Sequence, residues 1–156
     1  MSGKYMAYVG SYSYTGKAKG ITVYDVDVEN GVFKERCEME VDNSSYVIAS
    51  SDGKTLYSIA DEGVVSFRIL QNGSLARLNS APIRGMRGCH LCTDMEDKYV
   101  FVSGYHDGKT TVLSLNKDGS VGEIVDEVYH KGYGSVAERN FRSHITCTRR
   151  MPDGRY

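Results

Sequence analysis

Three turn dipeptides of one chemical type recur along the chain at nearly constant spacing. They are Asn30-Gly31, Asn72-Gly73 and Asp118-Gly119, and their glycines lie 42 and 46 residues apart. Asn, Asp and Gly tolerate a positive φ, so these dipeptides predict two-residue hairpins between antiparallel strands. Apolar and polar residues alternate before them, as in the segment 65–69. A repeat of this length constrains the fold strongly, because each unit must be one small supersecondary element.

Two further sets of turns keep the same period and complete the unit. They lie at Gly16, Gly63 and Gly108, and at Asp52-Gly53, Glu96-Asp97 and Asp153-Gly154. One unit is therefore four short strands in about 45 residues, which is typical of a β-propeller blade. No long segment shows a helical apolar period. We predict an all-β protein, a β-propeller with about three four-stranded antiparallel blades, and a small irregular β-sandwich is the alternative.

The repeat also predicts how the single domain 1–156 is divided. An incomplete blade that lacks its first strand covers residues 6–41, and complete blades cover 45–82 and 89–129. Residues 144–156 form the start of the next blade, with its first strand at about 144–149. Because the last repeat is cut short, we expect further blades of the same chain to follow. Unpaired strand edges would make the 156-residue chain alone a poor enzyme.

Charge and composition argue against several classes of partner. The 19 basic and 20 acidic residues give a formal net charge of -1, which offers no general attraction to nucleic acid or anionic lipid. The first residues lead directly into a strand pattern, without an apolar stretch suited to a signal peptide or a membrane span. We therefore expect a cytoplasmic protein whose four cysteines are free thiols.

Two segments near the end of the chain carry a family resemblance. Residues 139–144, Arg-Asn-Phe-Arg-Ser-His, resemble the Arg-Gln-x-x-Pro-His motif of the cycloisomerase-type 6-phosphogluconolactonase family. Residues 151–156, Met-Pro-Asp-Gly-Arg-Tyr, resemble its Pro-Asp-Gly-Lys/Arg-Tyr turn, and Gly88-Cys89-His90 is also similar. The resemblance implies a seven-bladed propeller that hydrolyses 6-phospho-D-glucono-1,5-lactone to 6-phosphogluconate in the pentose phosphate pathway. It implies no metal and no other cofactor.

Hydrolysis of a lactone requires a group that takes a proton from water and donors for the developing oxyanion. His90 and His144 are placed by the repeat at the start of successive inner strands, which line the axis of a propeller. An imidazole with an ordinary pKa of about 6.5 is able to act as the base at neutral pH. We predict both as catalytic residues that face one cleft. The alternative is that each imidazole only bonds a neighbouring blade.

A phosphorylated substrate also favours planar, bidentate cations. Arg139, Asn140 and Arg142 lie in the loop before His144, where an insertion lengthens the repeat, and loops above a rigid scaffold often hold binding residues. We predict these three residues and Tyr46 as substrate-binding. Solvated arginines and a packed tyrosine are the alternatives. Asn140 replaces the family's Gln, and Pro and a second His of the motif are also replaced, by Ser143 and Thr146 respectively.

Four sulfur and nitrogen donors have spacings that imitate a zinc site. They are Cys89 with Cys92, and His144 with Cys147. However, residues i and i+3 of an extended strand face opposite sides, so these pairs do not converge on one ion. We expect no metal.

Two other functions remain open from the sequence. A muconate-lactonising enzyme of the same fold would use basic residues around the same groove. A non-catalytic propeller would bind protein instead, although the absence of Trp argues against the repeat class that carries Trp-Asp pairs.

Overall fold

The computed structural model describes residues 5–135 and 140–154 and shows eleven β-strands within them. The strands are β1 Tyr5–Gly10, β2 Gly20–Asp27, β3 Val32–Glu40, β4 Val47–Ala49, β5 Thr55–Ile59, β6 Gly63–Ile69, β7 Leu75–Pro82, β8 His90–Thr93, β9 Tyr99–Gly104, β10 Lys109–Leu115 and β11 Val121–Tyr129. Among these residues, none forms a helix that is long and apolar enough to span a membrane.

The strands form three antiparallel sheets in which sequence neighbours are also spatial neighbours. The first sheet contains β1 to β3, the second β4 to β7, and the third β8 to β11. Each strand therefore pairs with the next one along the chain, as expected for short connections. The predicted all-β fold with four-stranded blades is confirmed, and the first blade has three strands.

The Asn-Gly and Asp-Gly turns differ in detail from the predicted two-residue hairpins. Four or five residues separate the paired strands at these turns. Gly31, Gly73 and Gly119 have φ values of 67°, 82° and 87°, whereas the Asn or Asp before each has no positive φ. The Asp118 carboxylate accepts a hydrogen bond from Ser120 N at 3.0 Å, which stabilises a longer loop with one left-handed residue.

The core lies between consecutive sheets, and the second sheet contributes to both sides of it. Leu56 and Phe67 pack towards the first sheet, whereas Tyr57 and Val64 pack towards the third. Successive residues of a strand face opposite sides, so burial of both faces explains why β5 is buried along its whole length. Sheets stacked face to face in chain order are the arrangement of propeller blades.

The first strand predicted for the next blade is absent. Residues 144–149 have no assigned strand and lie against the third sheet, where Thr148 Oγ1 and Ser103 Oγ are 2.8 Å apart. In the second and third sheets, the inner strands β4 and β8 are defined by pairing with the strand that follows them. The described residues after Arg149 include no such strand. The predicted strand is therefore not assigned, and the start of a further blade at residues 144–156 stays a prediction.

Candidate functional site

Several loops and linkers with polar side chains meet at one end of the sheets. We call it the loop end: it comprises the linkers before β4 and β8 and the loops after β1, β5 and β9. Antiparallel pairing brings the end of one strand beside the start of its partner, which places these loops together. The Asp107 carboxylate joins two of them by accepting a hydrogen bond from Met86 N at 3.1 Å.

Asp61 is the centre of a hydrogen-bond network at the loop end that sequence reasoning missed. Its Oδ1 accepts from Arg87 Nη1 at 2.7 Å, and its Oδ2 accepts from Asn43 Nδ2 at 2.8 Å. Asn43 Oδ1 in turn accepts from the backbone N–H groups of Ser13 and Tyr14. The network therefore joins loops of the first and second sheets to the linker of the third, and it fixes their relative positions.

Arg87 is held in one orientation from two sides. Besides its bond to Asp61, its guanidinium lies over the ring of Tyr12, 4.9 Å from the centroid. Ion pairing and cation–π contact together order a side chain that is otherwise flexible. In the sequence, the feature that could have drawn attention to Arg87 is its position three residues before His90. An ordered, half-buried arginine of this kind is suited to binding an anionic group.

His144 is oriented by the loop after β9. Its Nδ1 lies 2.6 Å from the carbonyl oxygen of Tyr105, and the two rings stack with centroids 4.4 Å apart. A carbonyl oxygen only accepts, so Nδ1 carries the hydrogen of this bond. In the neutral imidazole the lone pair is then on Nε2, and that nitrogen is the basic one. The structure therefore gives His144 a defined tautomer for proton transfer.

A cavity of about 370 Å³ opens along the inner strands, and we call it the axial cavity. Its walls come from the two inner strands and from the segment after His144. They are formed by Tyr46, Ile48, Ala49, His90, Leu91, Cys92, Thr93, Arg149, Arg150 and Pro152. The rings of Tyr46 and His90 lie 4.6 Å apart, so two of the predicted site residues are brought together here. Tyr46 packs on a neighbouring blade.

His90 and His144 do not occupy equivalent positions, which corrects the alignment of the inner strands. His90 Nε2 contacts Cys147 Sγ at 3.4 Å, whereas the ring of His144 contacts Tyr105. Tyr99 comes nine positions after His90, and Tyr156 comes nine positions after Cys147. Matching the two segments by their distance from these tyrosines in the sequence, rather than His to His, pairs Cys147 with His90, which agrees with the observed contact. The two histidines have different partners instead of a shared one.

Asn140 and Arg142 are not among the residues that line the axial cavity. Asn140 accepts a hydrogen bond from Gly134 N through its backbone oxygen at 3.0 Å. The guanidinium of Arg142 lies over the ring of Phe141, 5.0 Å from its centroid, and both side chains are exposed. Arg139 lies outside the described residues. Their substrate-binding roles stay predictions.

The four donors of the apparent zinc motif point to different partners. Cys89 Sγ lies 3.3 Å from the carbonyl oxygen of Ile145, and Cys92 Sγ lies 3.4 Å from that of Thr93. Within residues 5–135 and 140–154, no group of three or more Cys, His, Asp or Glu is arranged to hold a metal ion.

We expect burial of His90 to make the stability of the folded chain depend on pH. Burial and the nearby Arg149 guanidinium hold the pKa of His90 below its ordinary value. The unfolded chain therefore takes up a proton at this site more readily, and stability should fall as the pH drops from about 7 to 5. We expect a lower melting temperature at pH 5 than at pH 7, with a smaller difference in His90→Gln.

Exposed His130 provides the control for this measurement, and His130→Gln should keep the wild-type pH dependence. Asp52 titrates below this range, because a hydrogen bond from Ser50 and others from Lys54 lower its pKa to about 2. An unchanged pH dependence in His90→Gln would show that the imidazole is not the group responsible.

Comparisons with known proteins agree with this architecture. Residues 6–156 match the family model described as lactonase, 7-bladed beta-propeller. A 6-phosphogluconolactonase of Bacillus subtilis is 32% identical over 159 residues, covering 98% of this chain and 45% of the relative. A 6-phosphogluconolactonase of Formosa agariphila is 27% identical over 146 residues, covering 88% of this chain and 41% of the relative. The crystal structure of a candidate 6-phosphogluconolactonase from Bacteroides fragilis gives a TM-score of 0.89 at 32% identity, covering 97% of this chain and 43% of that one. The chain thus spans less than half the length of these relatives.

Proposed function

The chain belongs to the lactonase family of seven-bladed β-propellers, and from this premise we propose that it contributes the base and an anion-binding arginine to hydrolysis of a sugar lactone. Relatives named 6-phosphogluconolactonase support 6-phospho-D-glucono-1,5-lactone as the substrate. The product is then 6-phosphogluconate, an intermediate of the pentose phosphate pathway.

The orientation of His144 is the observation on which the proposal depends. The Tyr105 carbonyl fixes the proton on Nδ1, and stacking on the Tyr105 ring restricts the imidazole plane. Nε2 then takes a proton from the water that attacks the lactone carbonyl. When the ring opens, the imidazolium returns this proton to the leaving alkoxide oxygen. A positioned general base of this kind typically increases the rate about 10²–10⁴-fold.

Arg87 is the cation that we assign to the anionic end of the substrate. Its side chain is 31% exposed, so it reaches solvent while Asp61 and Tyr12 restrict it. Phosphate and carboxylate groups both accept two parallel hydrogen bonds from a guanidinium. This arginine comes from a different loop than His144, which allows the two residues to contact different parts of one substrate.

The direct test is a lactone hydrolysis assay with a panel of substrates. We expect saturable acceleration over the spontaneous rate with 6-phospho-D-glucono-1,5-lactone, and less with the unphosphorylated lactone. The 156-residue chain is assayed alone and also joined to the remaining part of the B. subtilis relative, so that absence of the other blades does not decide the outcome. No acceleration in either form would contradict the proposal, and conversion of cis,cis-muconate to muconolactone would favour the muconate-lactonising alternative.

Arg87→Gln is expected to raise KM for the phosphorylated lactone by about tenfold, since a charge-assisted hydrogen bond contributes about 1.5–3 kcal/mol. KM for the unphosphorylated lactone should change little. Arg36 provides a matched control, because it pairs with Asp25 at 2.6 Å and its side chain is also 31% exposed, yet it lies on strand β3 away from the loop end. Equal effects of Arg87→Gln and Arg36→Gln on KM would exclude a binding role for Arg87.

A further inference from the structure

Cys147 lies beside an imidazole at the inner wall of the propeller. Cys147 is a free cysteine and an exposed residue, and its Sγ is 3.4 Å from His90 Nε2. We propose that Cys147 and His90 form an imidazole-assisted thiol that undergoes exchange with small anionic disulfides. Nothing in this proposal depends on lactone hydrolysis, because it involves a different histidine and a different reacting atom.

The contacts of the other cysteines differ in kind. Cys89 Sγ lies near the carbonyl oxygens of Ser103 and Ile145, and Cys92 Sγ lies near that of Thr93. A carbonyl oxygen accepts a hydrogen bond from a thiol but does not take up its proton, whereas an imidazole nitrogen does both. Burial also raises the pKa of Cys89. Of Cys89, Cys92 and Cys147, Cys147 is therefore the one whose thiol has a base beside it.

The state of His90 fits the role of proton acceptor. The residue is only 7% exposed, and its Nδ1 is buried with no hydrogen-bond partner in the described part of the chain. No second bond therefore fixes the ring proton, and Nε2 is able to accept the proton of the thiol. Burial disfavours a permanent imidazolium. His90 therefore takes the proton of the Cys147 thiol during the reaction, and the two residues do not form a permanent thiolate–imidazolium pair.

Charges around the thiol favour an anionic co-reactant. The titratable and charged groups near it are His90 and Cys92 of the third sheet, Cys89 of the linker before that sheet, Tyr46 beside the second sheet, and Arg149 and Arg150 of its own segment. The Asp107 carboxylate of the loop after β9 acts on Cys89. Arg150 donates to the carbonyl oxygens of Thr93 and Asp94, and Arg149 is exposed. Among the described residues that line the axial cavity there are two arginines and no carboxylate, which produces a positive field inside it.

The exchange balances without any further reagent. The thiol proton moves to His90 Nε2, and the Cys147 thiolate attacks one sulfur of the disulfide. A bond forms between Sγ and that sulfur as the original sulfur–sulfur bond breaks. The departing thiolate takes the proton from His90, so Cys147 is oxidised to a mixed disulfide and half of the co-reactant is reduced to a thiol. An excess of small thiol reverses the step.

The test exposes the 156-residue chain to oxidised glutathione and follows each cysteine by peptide mapping. Trypsin places Cys147 in the peptide 143–149, separate from Cys37 and from the peptide that holds Cys89 and Cys92. We expect the adduct at Cys147 to form about tenfold faster than at any other cysteine, and His90→Gln to remove this advantage. The rate at Cys37 should stay unchanged in that variant, which shows that the chain is still folded.

Charge and fold provide two further readouts. Cystamine, a cationic disulfide, should react more slowly than oxidised glutathione at Cys147, and Arg149→Gln should reduce the difference. In urea the four cysteines should react at similar rates. Fastest reaction at Cys89 or Cys92, equal rates at all four sites in the folded chain, or an unchanged Cys147 rate in His90→Gln would overturn the proposal. None of these outcomes bears on lactone hydrolysis, so the two proposals fail independently.

Discussion

His144→Gln is expected to lower kcat for lactone hydrolysis by about 10²–10³-fold, because the variant keeps a polar group but loses the base. Gln is able to donate to the Tyr105 carbonyl, so the local packing should survive. KM should change by much less than kcat, since the proton transfer occurs only in the transition state. Steady-state kinetics over a range of lactone concentrations separates the two parameters.

His106 is the matched control for this prediction. Its ring meets the ring of Tyr105 edge-on with centroids 5.3 Å apart, so it contacts the same tyrosine without sharing the carbonyl bond of His144. His106→Gln should therefore retain the wild-type kcat. If His144→Gln retained activity while His106→Gln lost it, the base would be misassigned.

Lys109→Met is expected to lower the free energy of unfolding by about 2–3 kcal/mol, because it leaves three acceptors without their cation. The Lys109 side chain is 2% exposed. Its Nζ donates to the carbonyl oxygens of Ile83 and Arg84 and to Glu127 Oε1 at 2.8, 2.9 and 2.6 Å. These bonds tie the linker between the second and third sheets to the third sheet. Urea denaturation of the two proteins measures the difference.

Two comparisons show whether the loss comes from the buried charge. Adding Glu127→Gln to Lys109→Met should recover part of the stability, because the carboxylate left without its cation is then removed. Lys54→Met should change stability by less than about 0.5 kcal/mol, since its pair with Asp52 is exposed. A loss in Lys54→Met as large as that in Lys109→Met would contradict this explanation.

Blade architecture was predictable because it follows from local patterns. Glycines with positive φ recur at each repeat, and alternating residues of β5 and β6 supply the core on both sides of the second sheet. Such signals need only neighbouring residues and the period of a strand. The loop lengths at Asn72 and Asp118 were not predicted, since side-chain bonds to the backbone allow several turn types with similar sequences.

Residue-level contacts at the site were harder to predict because they join distant segments. Asp61 contacts Asn43 and Arg87, which belong to different linkers, and no motif marks this set. The partnership of His90 with Cys147 was missed because two histidines were matched to each other by type. The hydrophobic pattern and the turn geometry determine register, whereas a match between two single histidines does not. His144 was predicted, but its Tyr105 partner required the structure.

The tautomer of His144 is the most direct test of the central claim that this residue is a base pre-oriented by Tyr105. Selective ¹⁵N labelling and NMR of the ring nitrogens at a pH where the imidazole is neutral distinguish a protonated Nδ1 from a protonated Nε2. We predict hydrogen on Nδ1, bonded to the Tyr105 carbonyl, and a non-protonated Nε2. A neutral ring with its hydrogen on Nε2 would contradict the account, because the basic nitrogen would then face the carbonyl oxygen.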